Sequence, residues 1–196
     1  PDLKILLQPK TYGIGEVDVY GQLLIYKKML QNVVSNINKN YISKPYNYEG
    51  YFKYSRQVDG QEKVKEATVT IYDAQGYHRE DVASAFKELN YKFNQVRRNS
   101  EVTSVWDGLT YFDDILTADI VRNTRNVLDI VNSRDYKLKS KGKLVYEGDS
   151  VQVISYQATH PSISTTGDPA VQTYSGEIYV NLKDLAVLKN VVNLTS

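Results

Sequence analysis

The run Val171-Gln-Thr-Tyr-Ser-Gly-Glu-Ile-Tyr-Val180, followed at once by Asn181-Leu-Lys-Asp-Leu-Ala-Val-Leu-Lys189, decides the fold class. Side chains alternate across a strand, so Tyr174, Gly176, Ile178 and Val180 share one face while Ser175, Glu177 and Asn181 share the other. That is a half-buried strand. A polar break around Asn181, Lys183 and Asp184 separates it from a second run in which Ala186, Leu188, Val192 and Leu194 fall on a common face. Two such runs joined by a short polar turn predict a β-hairpin. Gly176 within the first strand marks a place where the sheet bends or another group comes close.

Working upstream, a loop from Ala158 to Pro169 carries Pro161, Gly167 and Pro169 and exceeds the usual hairpin connection. Before it, Val151 to Tyr156 reads as a strand, entered through the turn Glu147-Gly148-Asp149. The strand before that turn places Tyr136, Leu138, Leu144 and Tyr146 on one parity and Lys137, Lys139, Lys141 and Lys143 on the other. A solvated lysine row that discourages edge-to-edge pairing explains the second set better than an anion-binding ridge does. Further back, Tyr46, Tyr48, Gly50, Phe52 and Tyr54 alternate with polar residues, Asp59-Gly60 is a tight-turn pair, and Ala67, Val69 and Ile71 continue the return strand.

Between these sheet regions the period changes. Leu23, Tyr26, Leu30, Val33 and Ile37 recur at steps of three and four, which predicts an amphipathic helix over 21–39, stopped before Pro45. Val82, Phe86 and Leu89 suggest a helix around 79–89, with an extended piece over 91–96. Short helical signals follow between Thr103 and Val131, where Asp113 or Asp114 caps one turn and Asp119 a second that carries Ile120, Val127 and Leu128. At the start of the chain, Leu3, Ile5 and Leu7 alternate, and Glu16-Val-Asp-Val19 reads as a short extended piece.

Composition narrows the function classes. The 196 residues can bury a real core, roughly 70% of the surface their unfolded chain exposes. With 24 basic against 23 acidic residues the net charge is +1, which argues against a nucleic-acid partner. No apolar run is long enough to span a membrane. The absence of cysteine removes thiol nucleophiles, disulfides and thiolate metal sites. Seventeen tyrosines against four phenylalanines favour sheet residues packed at a wet core boundary.

No catalytic constellation stands out. A catalytic zinc needs about three converging His, Asp or Glu ligands. The chain has two histidines, His78 and His160; Asp81 stands where His78 would need a Glu partner, and His160 precedes a proline in the long loop. Asp113, Asp114 and Asp119 could pair as glycosidase carboxylates, but such residues more often cap helices. There is no nucleophile elbow or phosphate-cradling loop, and Gly13-x-Gly15 is too short for a dinucleotide fingerprint. Arg97-Arg98 after Tyr91 and Phe93 reads as a solvated strand end.

The order of segments resembles a known pattern. "NVVSNINKNY" (32–41), "PYNYEGYFKYSRQVDG" (45–60), "EATVTIYD" (66–73), "DILTADIVRNTRNVLD" (114–129), "DYKLKSKGKLVYEGDSVQVISYQ" (135–157) and "YSGEIYVNLKDLAVLKN" (174–190) look like the region following the carboxypeptidase-like regulatory domain of Gram-negative cell-envelope proteins. The resemblance covers most of 16–192, with its most specific parts at 36–41 and 174–189. It implies an α+β fold: a curved, half-barrel-like antiparallel β-sheet with helices packed on one face, similar to periplasmic lipoprotein carriers. It further implies that residues 1–20 are a closing strand or linker from an upstream β-sandwich, with Glu16-Val-Asp-Val19 as that strand, and that 21–196 form a single α+β domain. The location implied is periplasmic or outer-membrane-associated.

Two non-enzymatic roles follow, neither using a cofactor or metal. In the first, which we expect, the chain is an interaction or structural module whose partner is another envelope protein, and the sheet face is a filled core beneath the helices. In the alternative, Tyr48, Phe52, Tyr54, Ile178 and Val180 line a concavity that holds a lipid or other hydrophobic ligand.

Overall fold

The computed structural model describes residues 16–79, 89–99, 112, 116, 119–129, 135–161 and 170–195. The suggested helix over 79–89, the carboxylates Asp113 and Asp114, the opening alternation of Leu3, Ile5 and Leu7, and most of the long loop lie outside them. Among the described residues, a long helix, α1 (Glu16–Asn40), precedes seven strands: β1 (Tyr46–Val58), β2 (Gln61–Asp73), β3 (Leu89–Arg98), β4 (Tyr136–Tyr146), β5 (Asp149–Ala158), β6 (Thr173–Asn181) and β7 (Val187–Thr195).

All the strand pairs are antiparallel, and they form two sheets, β1-β2-β3 and β4-β5-β6-β7. This corrects the single curved sheet. The hairpin patterns are alike in both halves of the chain, and nothing in an alternating pattern says that β3 and β4 do not pair. Helix α1 packs on the four-stranded sheet, while Phe112 and Leu116, both in helical conformation, pack on the three-stranded one. The α+β class holds, with strands predominating.

Helix α1 carries the expected stripe. Leu30, Val33 and Ile37 are buried, Leu23 and Tyr26 partly so, and they pack on Tyr136, Leu138, Ile154, Tyr156, Tyr174, Ile178 and Val180 of the four-stranded sheet. Each fully buried Leu, Val or Ile in that seam contributes about 1.5–3 kcal/mol. The helix begins at Glu16, so Glu16-Val-Asp-Val19 is its first turn and not an extended piece. Four residues of alternation cannot outweigh the helical stripe that follows.

A second core lies on the three-stranded sheet, where Phe52, Val69 and Ile71 are buried with Phe112 and flanked by Tyr54, Tyr91, Phe93 and Leu116. The predicted turn at Asp59-Gly60 is present, with φ of 51° and 75° at the two positions. Between the cores, the segment expected as a capped helix at 119 is a turn. Asp119 Oδ1 accepts from the amides of Val121 (3.0 Å) and Arg122 (3.3 Å), while Ile120, Val121, Val127 and Leu128 enter the first core.

Two bulges revise the face assignments. In β4 the register shifts between Ser140 and Gly142, so Lys137 and Lys139 lie opposite Gln157 and Ser155, whereas Lys143 lies opposite Gln152 on the other face. The expected lysine row is therefore split. Tyr136 and Leu138 are buried, but Leu144 and Tyr146 point to the opposite face and are 40% and 53% exposed. In the β6–β7 hairpin, whose existence is as predicted, a shift at Tyr179/Val180 sets Val187 opposite Val180. Leu188 becomes the extra residue, and the shared face of β7 is Val187, Asn190, Val192 and Leu194.

Candidate functional site

The five residues expected to line one concavity do not come together. Phe52 and Tyr54 belong to the core of the three-stranded sheet, while Ile178 and Val180 sit beneath α1 at 0% exposure, with no surface open to a ligand. Tyr48 alone faces an open space. That space is a cleft of about 450 Å³ between the sheets, bounded by Tyr41, Tyr48, Tyr77, Leu116, Asp119 and Ile120 on one side and by residues of β7, including Val187, Leu188 and Val192, on the other.

The cleft is framed by tyrosines. Tyr41 leaves the end of α1, Tyr46 and Tyr48 open β1, and Tyr77 follows the turn after β2. Tyr41 stacks on Tyr77 at 5.1 Å between ring centres and 21° between planes, Tyr77 on Tyr46 at 6.4 Å and 24°, and Tyr46 on Tyr48 at 5.8 Å and 17°. Alternation along β1 accounts for the last pair, because residues two apart share a face. The turn that delivers Tyr77 is held by Asp73 Oδ1, which accepts from the amides of Gln75 (3.0 Å) and Gly76 (2.9 Å). The Tyr77 amide then donates to the Ile42 carbonyl at 2.6 Å, tying the turn to the end of α1.

Charge is concentrated at the back of this frame. Arg122 forms a buried ion pair with Asp73, and its guanidinium lies 4.8 Å from the Tyr77 ring centre. The Tyr77 hydroxyl donates to Asp119 Oδ2. Across the cleft the Tyr41 hydroxyl donates to the Val187 carbonyl (3.1 Å) and accepts from the Val187 amide (3.0 Å). Asp119, Tyr77 and Tyr41 thus spend polar atoms within the protein, and the space is faced by rings and aliphatic groups together with the polar side chains of Lys189 and Asn190.

Burial pushes the Tyr41 and Tyr46 hydroxyls up to about 12, with the Val187 backbone and the Arg122 side chain respectively opposing the shift. Tyr48 is raised by burial, and Tyr77 is raised further by burial and the adjacent Asp119 carboxylate. All four stay neutral at physiological pH. Tyrosinate chemistry is disfavoured, and a proton donor with so high a pKa is poorly matched to acid–base work near neutrality.

The remaining candidates from the sequence are dispersed. His78 Nδ1 lies 2.8 Å from the Gly76 carbonyl within its own turn, and His160 is exposed. Among the described residues no group of three or more His, Asp or Glu converges on a point that could hold a metal ion. Arg97 lies opposite Glu66 at the exposed end of β3. Tyr41 and Tyr77 were not legible as site residues, because stacking across 36 positions of chain leaves no periodic trace; the tyrosine excess was the only signal.

No family model matches the chain, and no curated protein does. Among solved structures, a DUF1329 family protein from Desulfovibrio piger is similar with a TM-score of 0.36 and 12% identity, over 86% of this chain and 73% of that one. The Mycobacterium tuberculosis lipoprotein LppX is similar with a TM-score of 0.36 and 11% identity, over 86% of this chain and 89% of its own.

Proposed function

We propose that this chain is a non-catalytic binding domain that takes the apolar part of a lipid-like or other hydrophobic ligand into the cleft between its two sheets. The observation that carries this reading is the cleft itself. It has about 450 Å³ of space, within the range of small-molecule sites, walled by three tyrosine rings and by Val187, Leu188 and Val192, with Asp119, Lys189 and Asn190 as the polar part of its lining. The non-catalytic half rests on the internal use of the Tyr41, Tyr77 and Asp119 polar atoms. The envelope setting and the fusion to an upstream regulatory β-sandwich rest on the sequence resemblance, strongest at 36–41 and 174–189.

This reading moves the ligand away from the face beneath α1, where Ile178 and Val180 form filled core. Displacement of an environment-sensitive fluorescent fatty acid tests it. Leu188 lines the cleft and is 42% exposed, so Leu188→Trp fills the space without burying a larger group in the core. The expected result is loss of probe binding with the thermal midpoint unchanged. Undiminished binding in Leu188→Trp would show that the cleft is not the site.

A further inference from the structure

The split of the lysine row at the β4 bulge has a functional side. The eleven residues of β4, Tyr-Lys-Leu-Lys-Ser-Lys-Gly-Lys-Leu-Val-Tyr, hold four lysines and no acid. Without them the chain would have 20 basic residues against 23 acidic, so its positive balance resides in this one strand. β4 is an edge strand, paired only to β5, and every residue from Lys139 to Gly148 is exposed. This exposed stretch of β4 is about 25 Å long at ordinary strand rise.

Its outer end is apolar on both faces. Leu144 and Tyr146 lie opposite Val151 and Asp149 on one face, and Val145 lies opposite Ser150 on the other. Their exposures are 40%, 53% and 72%. A strand packed on a core is apolar on one face only, and a strand guarded against aggregation carries lysines without exposed apolar neighbours. This end has both lysines and bare aliphatic and aromatic groups. The bulge puts Lys137 and Lys139 on one flank of the edge and Lys143 on the other, so positive charge borders the apolar end from both sides.

We propose that the outer end of the β4–β5 hairpin is a docking edge for an anionic lipid surface. Val145, Leu144 and Tyr146 enter the interfacial layer, where a tyrosine ring with its polar tip is at home. Lys139 and Lys143 extend along their stems to lipid phosphates, and Lys141 joins them by leaving its exposed, weak pair with Glu177. The acids nearby are accounted for. Glu177 lies 3.7 Å from Lys141 and Asp149 lies 3.6 Å from Lys183, while Glu147 sits in the exposed turn at the hairpin end, at headgroup level when the strand lies edge-on. The occupant is a membrane and not a soluble anion because the lysines alone would serve the latter, leaving Val145 and Tyr146 without a role. This inference does not depend on the cleft.

Co-sedimentation with vesicles tests it on the whole chain. Binding is expected to phosphatidylcholine vesicles that contain phosphatidylglycerol, to fall steeply with added salt, and to be absent with phosphatidylcholine alone. Lys139→Gln and Lys143→Gln should each weaken binding about fivefold and Lys141→Gln less, because Glu177 offsets its charge, and the triple variant should weaken it at least about 25-fold. Val145→Trp should show blue-shifted emission when anionic vesicles are added, and Val145→Asp should abolish sedimentation. All these positions are exposed, and unchanged far-ultraviolet circular dichroism confirms folding. Equal binding to neutral vesicles, no binding to anionic vesicles at low salt, or full competition by soluble glycerophosphate at equal phosphate concentration would overturn the proposal.

Discussion

At Gly176 the absence of one carbon lets a tyrosine cross a strand. Tyr156 lies opposite Gly176 in the β5–β6 register, and its hydroxyl passes over that position to within hydrogen-bond distance of Asn190 Oδ1 (3.0 Å) and the Val191 carbonyl (3.3 Å) on β7, donating its one proton to either. A Cβ at 176 would lie 2.6 Å from Tyr156 Cζ and closer still to the Val191 carbonyl. Of the two meanings a strand glycine can have, close approach is the one found. Gly176→Ala should cost about 1–3 kcal/mol through overpacking, read as a lower denaturant midpoint at unchanged slope. Tyr156→Phe should keep the packing and lose only the hydroxyl bonds, about 1 kcal/mol.

The buried tyrosines also set an alkaline limit. An unfolded tyrosine ionises near pH 10, whereas Tyr41 and Tyr46 are held up to about 12 by burial. Above pH 10 the unfolded chain has therefore lost protons that the folded one retains. The stability these groups confer is full below pH 10 and drains away as pH rises toward 12. Denaturant midpoints measured across that window should fall with pH. Tyr41→Phe should shallow the fall, since one of the retained protons is gone.

Among the elements, β4 shows most clearly where sequence patterning stops. Its alternation reads as one uninterrupted strand, which holds for Tyr136, Leu138, Lys137 and Lys139. Beyond the extra residue Lys141 every assignment inverts, because one inserted residue moves all later side chains to the other face. Gly142, at φ 102°, is the only local sign, and glycine in a strand signals several things besides a bulge. The same holds for Leu188 in the last hairpin, where two apolar residues in succession, Val187 and Leu188, permit either register. By contrast α1 and the β1–β2 hairpin were legible because the one carries a long apolar stripe and the other a long alternation with a clear turn, and the existence of the β6–β7 hairpin was legible from its two runs and polar break. The tyrosine-framed cleft was not, since its walls come from Tyr41, Tyr48, Tyr77, Leu116, 119–121 and β7, which only the folded chain brings together. Gly142→Val should test the bulge. Forcing a β-branched residue to that dihedral should cost about 1–3 kcal/mol, visible as a lowered thermal midpoint.

For the molecule as a whole, the Asp73–Arg122 pair is a bond between its two halves. Asp73 ends β2 in the three-stranded sheet, while Arg122 belongs to the turn whose Ile120, Val121, Val127 and Leu128 enter the core of the other. Their side chains are 0% and 2% exposed. Removing one partner leaves a buried charge alone, so Arg122→Met should cost about 3–5 kcal/mol, whereas the paired change Asp73→Asn with Arg122→Met should recover part of it in a double-mutant cycle. Hydrogen exchange in β2 and over 119–129 should rise together in the single variant, since the pair ties these two segments to each other.

The tyrosine stack gives that space an optical signature. Four phenol rings at 5.1–6.4 Å and within 24° of parallel are close enough for their electronic transitions to couple. Tyr41 and Tyr77 also border the cleft directly, one of them bonded to β7. Any separation of β7 from β1, or any guest that shifts a ring, changes the coupling. Near-ultraviolet circular dichroism of the unlabelled protein can therefore follow the opening and filling of the gap between its sheets.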